Sequence, residues 1–168
     1  PDLDEIHAEQ SYGLNYDINY RTILADRIVL RVNQLFYYTH LDNPLILEQG
    51  SDTIFRFGNL DGNVRSRGTE TNVAFIYDHM KLFLGYTYVD AIQKDSGSSA
   101  QLPLNSPHQG SAILMFEEHG SYRLGFESYY YSSQKLNDSE TGRGYTIFGI
   151  MGEKTWGRYT VFANFENM

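Results

Sequence analysis

The residues able to carry chemistry are few and scattered. The 168-residue chain contains no cysteine, which excludes disulfides, thiolate nucleophiles and thiolate metal sites. Its five histidines, His7, His40, His79, His108 and His119, form no close pair, so no metal centre is expected. There is no Gly-x-Ser-x-Gly, no phosphate loop and no His-Glu-x-x-His. Glu117-Glu118 is a carboxylate pair, but neighbours on a strand point to opposite faces and cannot share a substrate, so a solvated turn is expected. No catalytic residue, no cofactor and no enzymatic activity are therefore expected. Binding chemistry remains. Arg65 and Arg67 suit an anionic ligand, or pair structurally with a residue such as Glu70. Tyr129 and Tyr131 present aromatic faces that suit aromatic or sugar rings, and equally suit a membrane interface.

What would position these residues is a two-residue rhythm. From Ser11 to Arg21 the even positions Tyr12, Leu14, Tyr16, Ile18 and Tyr20 are apolar or aromatic, and the odd positions are small, polar or charged. Strand side chains alternate faces, so this pattern makes one greasy and one wet face. After a break at Ile23–Asp26 it returns, with Ile28, Leu30, Val32, Phe36 and Tyr38 against Arg27, Arg31, Asn33 and Thr39. The helical spacing i, i+3, i+4, i+7 is absent. The first two strands thus carry a polar stripe of Asn15, Asp17, Asn19, Arg21, Arg31 and Asn33.

The rhythm recurs. Thr69, Thr71, Val73, Phe75 and Tyr77 oppose Glu70 and Asn72, and Leu82, Leu84, Tyr86 and Tyr88 follow a turn at Asp78–Met80. A strand over His108–Phe116 shows Ala112, Leu114 and Phe116, and the next sets Tyr122, Leu124, Phe126 and Tyr130 against Arg123, Gly125, Glu127 and Tyr129. Tyr145, Ile147, Gly149 and Met151 share a face of a seventh strand, and Tyr159, Val161, Ala163 and Phe165 of an eighth. The expected connections alternate short and long, the long ones being His40–Gly62 (with a small strand over Thr53–Phe57), Ala91–Pro107 and Ser132–Gly142. The predicted fold is all-β, an antiparallel up-and-down meander of about eight strands forming part of a transmembrane β-barrel. Aromatics near strand ends (Tyr12, Tyr20, Tyr37, Tyr38, Tyr77, Tyr88, Tyr129, Tyr130, Tyr131, Trp156) are expected to form interfacial girdles.

Composition agrees without deciding. Aromatics are abundant, with 14 Tyr, 10 Phe and 1 Trp, and mean hydropathy is low at -0.44. Such values fit a membrane barrel and also a soluble sandwich. A net charge of -8 without a basic run excludes a nucleic-acid partner. The acidic Pro1–Gln10 reads as a tail whose Asp2, Asp4 and Glu5 are solvated rather than calcium ligands.

Four segments resemble, in order, the barrel of a TonB-dependent outer-membrane receptor. They are Gly13-Leu14-Asn15-Tyr16-Asp17-Ile18-Asn19-Tyr20-Arg21; Asn63…Arg67-Gly68-Thr69-Glu70 with Gly85-Tyr86-Thr87-Tyr88-Val89-Asp90; Leu102-Pro103-Leu104-Asn105-Ser106-Pro107-His108; and Val161-Phe162-Ala163-Asn164-Phe165-Glu166-Asn167. The resemblance implies that residues 1–168 are the C-terminal half of such a barrel, without the plug and the last strand of about 22 strands in all. It implies import of a scarce nutrient such as a ferric siderophore, cobalamin or a glycan across the outer membrane of a Gram-negative bacterium. It implies as partners the plug domain of the same parent chain, the TonB complex acting through that plug, outer-membrane lipid and a small-molecule ligand. Asn15, Asp17, Asn19, Arg31, Asn33, Glu70 and Glu127 would face the lumen. Arg65, Arg67, Tyr129 and Tyr131, at the outer rim and loops, would meet the ligand. The competing expectation is a small closed barrel of about eight strands, either a structural or adhesive membrane protein or a lipocalin-like carrier. A carrier would bury Leu14, Ile18, Leu30, Val32, Leu82 and Leu84 inside; a membrane barrel turns them outward.

Overall fold

The computed structural model describes residues 6–49, 55–95, 97–137 and 139–167, so the acidic Asp2, Asp4 and Glu5 lie outside the described residues. The described residues are all strand, turn and loop. The strands are β1 (Gln10–Leu24), β2 (Ile28–Asp42), β3 (Leu45–Gln49), β4 (Phe55–Asn59), β5 (Gly62–Tyr77), β6 (Met80–Asp95), β7 (Ser98–Gln101), β8 (His108–Glu118), β9 (Tyr122–Tyr131), β10 (Gln134–Lys135), β11 (Thr141–Gly142), β12 (Tyr145–Trp156) and β13 (Tyr159–Glu166). One sheet carries the fold in the order β1-β2-β5-β6-β8-β9-β12-β13, with β7 paired to β6. Its wall is thus the antiparallel meander that the alternation predicts, and the sheet is open. Small hairpins β3-β4 and β10-β11 stand in two of the long connections. Of the small strand expected over Thr53–Phe57, the part from Phe55 belongs to β4, and residues 53 and 54 lie outside the described residues.

Strand ends differ from the expected ones where alternation and hydrogen bonding part company. β1 continues through Ile23 to Leu24, which pairs Ile28, so the first half of the expected break is still ladder and the second half is the turn. The turn places both Ala25 and Asp26 at positive φ (48° and 57°), a twist that matches a right-handed hairpin. β2 and β6 run on to Asp42 and Asp95, beyond the last apolar residue of each rhythm.

Register fixes the faces. One row across the sheet is Tyr20, Val32, Val73, Leu84, Ala112, Ser128 and Phe148. The next row, on the other face, is Asn19, Asn33, Asn72, Gly85, Ser111, Tyr129 and Ile147. The polar face is the concave one: a hollow of about 540 Å³ lies on it, lined by Arg21, Arg31, Asn33, Asn72, Ser111 and Ile113 among others. The apolar face is open, with Leu14 exposed to 73% and Leu124 to 54%.

One expectation about faces holds, and another is corrected. Tyr145, Ile147, Gly149 and Met151 pair Tyr131, Tyr129, Glu127 and Gly125, which puts them on the concave polar face; Phe148 and Ile150 take the apolar one. Tyr37, Tyr129 and Tyr131 also sit on the polar face, so they belong to no outward girdle, whereas Tyr12, Tyr20, Tyr38, Tyr77, Tyr88, Tyr130 and Trp156 keep the apolar parity.

Candidate functional site

The concave face is built from three neighbouring rows. Nearest the long loops run Asp17, Leu35, Glu70, Thr87, Gln109, Tyr131 and Tyr145. The asparagine row follows. Nearest the short turns run Arg21, Arg31, Ala74, Phe83, Ile113, Glu127 and Gly149. Asn15, Asp17, Asn19, Arg31, Asn33, Glu70 and Glu127 thus share one face, as the period requires.

Hydrogen bonds tie these rows sideways. Asn33 Nδ2 donates to both Asp17 oxygens at 3.0 and 3.1 Å and to Asn19 Oδ1 at 3.0 Å, while Asn19 donates to Asp17. Asn72 Nδ2 donates to Glu70 Oε1 at 2.6 Å. Tyr129 Oη donates to Glu127 Oε2 at 3.1 Å. Tyr131 and Tyr145 stack with centroids 5.1 Å apart. Beside them a smaller recess is lined by Glu70, Thr87, Gln109, Ser111, Tyr129 and Tyr131. Carboxylates, amides and aromatic faces converge there, a set that hydrogen-bonds and stacks on a polar ringed solute.

Arg65 and Arg67 do not join this wall. They share parity with Thr69 and Val73 and pair His40 and Tyr38, so they lie on the apolar face, opposite Tyr129 and Tyr131. Arg67 Nε donates to Asp90 Oδ2 at 2.8 Å. The four residues grouped as ligand contacts therefore form two separate surfaces.

At the short-turn end the structure adds a cluster that one-dimensional reasoning placed in a solvated turn. Glu117 accepts from Lys81 Nζ at 2.7 Å and from Arg123 Nη2 at 2.8 Å, and Arg123 Nη1 lies 3.9 Å from Glu153. The cluster spans β6, β8, β9 and β12. Glu118 points to the other face, 3.2 Å from His79 Nδ1. Glu117 and Arg123 border a turn, past the apolar band that closes with Phe116 and opens again at Leu124. Hydrogen bonds from Arg123 and then Lys81 hold the Glu117 carboxyl down at about 2. Only register could have found this cluster, since its outermost members, Lys81 and Glu153, are 72 residues apart in sequence. No group of three or more potential metal ligands exists among the described residues.

Comparison with known proteins gives the wall a context. Residues 8–168 match the model of a family described as TonB dependent receptor-like, beta-barrel. No curated protein matches the sequence. Among solved structures, the chain is similar to the ferric-catecholate import receptor Fiu of E. coli K12, with a TM-score of 0.63 and 19% identity over 94% of this chain and 23% of that one. It is also similar to the FrpB iron transporter of Neisseria meningitidis, with a TM-score of 0.64 and 12% identity over 89% of this chain and 25% of that one. The chain spans about a quarter of the length of either structure.

Proposed function

This chain belongs to the TonB dependent receptor-like β-barrel family, and from that premise we propose that it is part of the wall of an outer-membrane receptor that imports a scarce nutrient. The observation that carries the reading is the segregation of the two faces across the whole meander, with short turns at one end and long loops at the other. Outer-membrane barrels put lipid against an apolar outside, and water or a plug against a polar inside. In this reading residues 1–168 lie in the C-terminal half of the barrel. Asn15, Asp17, Asn19, Arg31, Asn33, Glu70 and Glu127 face the lumen and form a wall for the plug, braced across strands where Asn33 donates to Asp17 and Asn19. The outer membrane holds no ion gradient to drive import, so the TonB complex pulls on that plug from the inner membrane. The work is binding and passage; no bond of the nutrient is broken.

The nutrient meets the long-loop end. Tyr129, Tyr131 and Tyr145, with Glu70 and Gln109 nearby, favour a ligand that offers rings and hydroxyls, as a ferric siderophore or a glycan does. A ferric siderophore is the first choice, because Fiu and FrpB are both iron importers by description. The test is uptake by cells carrying the full receptor. Tyr131→Ala receptor is expected in the outer membrane at normal amount, with uptake of one class of iron chelate reduced several-fold. If deleting the gene leaves the uptake of iron chelates, cobalamin and glycans equally intact, the import reading fails.

A further inference from the structure

Arg65 and Arg67 stand on the lipid-facing side of β5, just past its apolar run. From Tyr77 at the short-turn end, the same face of β5 reads Phe75, Val73, Thr71, Thr69, then Arg67 and Arg65. At ~3.3 Å per residue and a tilt of ~40°, the strand from Tyr77 to Arg65 climbs roughly 30 Å, the thickness of a hydrocarbon core. The two guanidinium groups therefore lie where the outer leaflet changes from acyl chain to headgroup. Aromatic residues mark the same level: Tyr38 pairs Arg67, and Tyr12 stacks on His40, the partner of Arg65, with centroids 4.9 Å apart.

The charges at this level are unbalanced. Arg67 gives only its Nε to Asp90, and its side chain is 58% exposed. Among the described residues Arg65 makes no ion pair, and its Nε is shielded from water without a hydrogen-bond partner. The other carboxylate of this patch, Asp42, is engaged by His40 at 3.0 Å. Lys94 lies in the adjoining row, opposite Asn63, on the same face. An acidic chain of net charge -8 thus gathers three cations in successive rows near one end of its outer surface. Among the described residues the set is not closed by the protein's own acceptors.

We propose that Arg65 and Arg67, assisted by Lys94, bind a phosphate group of an outer-leaflet lipid. A guanidinium fork matches phosphate oxygens two at a time, and basic groups beside a membrane span attract anionic headgroups. Arg67 keeps its Nη groups clear of Asp90 and supplies the donors, Arg65 adds its charge beside it, and the aromatic residues at this level pack against the first methylenes of the acyl chains. The inference rests on the outer-membrane reading above.

The full receptor, as wild type and Arg65→Gln/Arg67→Gln, is placed in phosphatidylcholine nanodiscs containing diphosphoryl lipid A, its dephosphorylated form, or neither, and retained lipid is read by native mass spectrometry. Wild type is expected to retain the phosphorylated lipid and not its dephosphorylated form. The double variant should retain roughly tenfold less, at unchanged heat-modifiable mobility on gels. Equal retention by both proteins overturns the proposal. So does competition by inorganic phosphate alone to the same extent, which assigns the site to soluble phosphate. If the double variant does not fold, Lys94→Gln and Arg65→Lys decide, since each keeps the sheet's packing and is expected to weaken retention. A receptor absent from the outer-membrane fraction of its own cells defeats the parent reading instead, a result independent of the lipid measurement.

Discussion

Replacing Gly68 by alanine tests how tightly the wall is packed. Gly68 lies on the concave face of β5, between Tyr37 of β2 and Val89 of β6. A Cβ there would fall 2.6 Å from Tyr37 Oη and 2.7 Å from Tyr37 Cζ, and would overlap the backbone oxygen of Tyr88. Ordinary contact begins at 3.4 Å, so the phenol must retreat by 3.4 − 2.6 = 0.8 Å. The ring can swing; the Tyr88 carbonyl sits in a paired strand and cannot do so without moving the strand. Overpacking of this kind costs about 1–3 kcal/mol, against a gain of about 0.5–1 kcal/mol from relieving the unfolded chain of a glycine. The net expectation is about 1–2 kcal/mol of destabilisation. With an m-value of roughly 1–3 kcal/mol/M, the urea midpoint of the receptor in phospholipid vesicles should fall by about 1 M, read by the loss of heat-modifiable gel mobility. In a Tyr37→Ala background the same glycine substitution should cost about half as much, because only the carbonyl overlap remains. An unchanged or higher midpoint for Gly68→Ala in the wild-type background would refute the packing of Tyr37 over this glycine.

Further expectations use the same unfolding assay. Leu114→Arg, on the apolar face, should cost about 2–4 kcal/mol in vesicles, whereas Gln109→Arg on the concave face should cost less than about 1 kcal/mol; equal costs would contradict the assignment of faces. Thr71→Val removes the hydroxyl that donates to Gln34 Oε1 at 2.7 Å and should cost about 1–3 kcal/mol, with Gln34→Leu in the same chain restoring most of it. Glu117 titrates at about 2 in the folded wall against 4.5 in the unfolded chain, so its ion pairs stabilise the fold above pH ~4.5 and that contribution fades as pH falls toward 2. Wild type should accordingly be the more stable protein at neutral pH, and its advantage over Glu117→Gln should shrink between pH ~4.5 and ~2; an advantage independent of pH would remove the carboxylate from the account.

The eight wall strands were legible because a half-buried strand writes its two faces into alternate residues. β1 shows how clean this is, with Leu14 and Ile18 on one side and Asn15 and Asp17 on the other. β12 shows where it stops. Ile147 and Met151 lie on the concave face, yet Phe148 and Ile150 lie on the other, so both parities are apolar and only pairing with Glu127 of β9 settles the direction. Strand ends were hidden for a related reason: past Tyr38 and Tyr88 the alternation lapses, with Leu41, Val89 and Ala91 on the concave parity and Ile92 on the other, while the backbone ladder continues to Asp42 and Asp95. The polar wall could be read from one strand at a time, but the Glu117 cluster could not, because Lys81, Arg123 and Glu153 come from three other strands and meet it only through register. The separation of Arg65 and Arg67 from Tyr129 and Tyr131 was available from parity within β5, had the arginines been compared with Thr69 and Val73 rather than with the loops.

The sheet has almost no interior of its own. Among the described residues the buried apolar side chains are Leu60 and Ala91, both outside the apolar stripes, and no side chain is fully buried. A lipocalin-like carrier would hide Leu14, Ile18 and Leu84; here they are 73%, 44% and 39% exposed on the face away from the hollow. Such a surface in water would associate without limit, whereas in lipid it is simply solvated. The polar exceptions on that face obey the same logic. Gln34 lies among Ile18, Thr71 and Val32, and its amide bonds Thr69, the Glu70 and Leu35 carbonyls, and Thr71. An amide facing hydrocarbon is tolerable only when its own neighbours satisfy it, and these do. On the concave face, water or protein can complete what the Asp17–Asn33 lattice leaves open, so no such closure is needed there. The two faces thus differ in more than hydropathy: within the apolar band the outer face satisfies Gln34 from its own neighbours, and the concave face keeps donors and acceptors free, which is the asymmetry expected of a wall between lipid and a wet lumen.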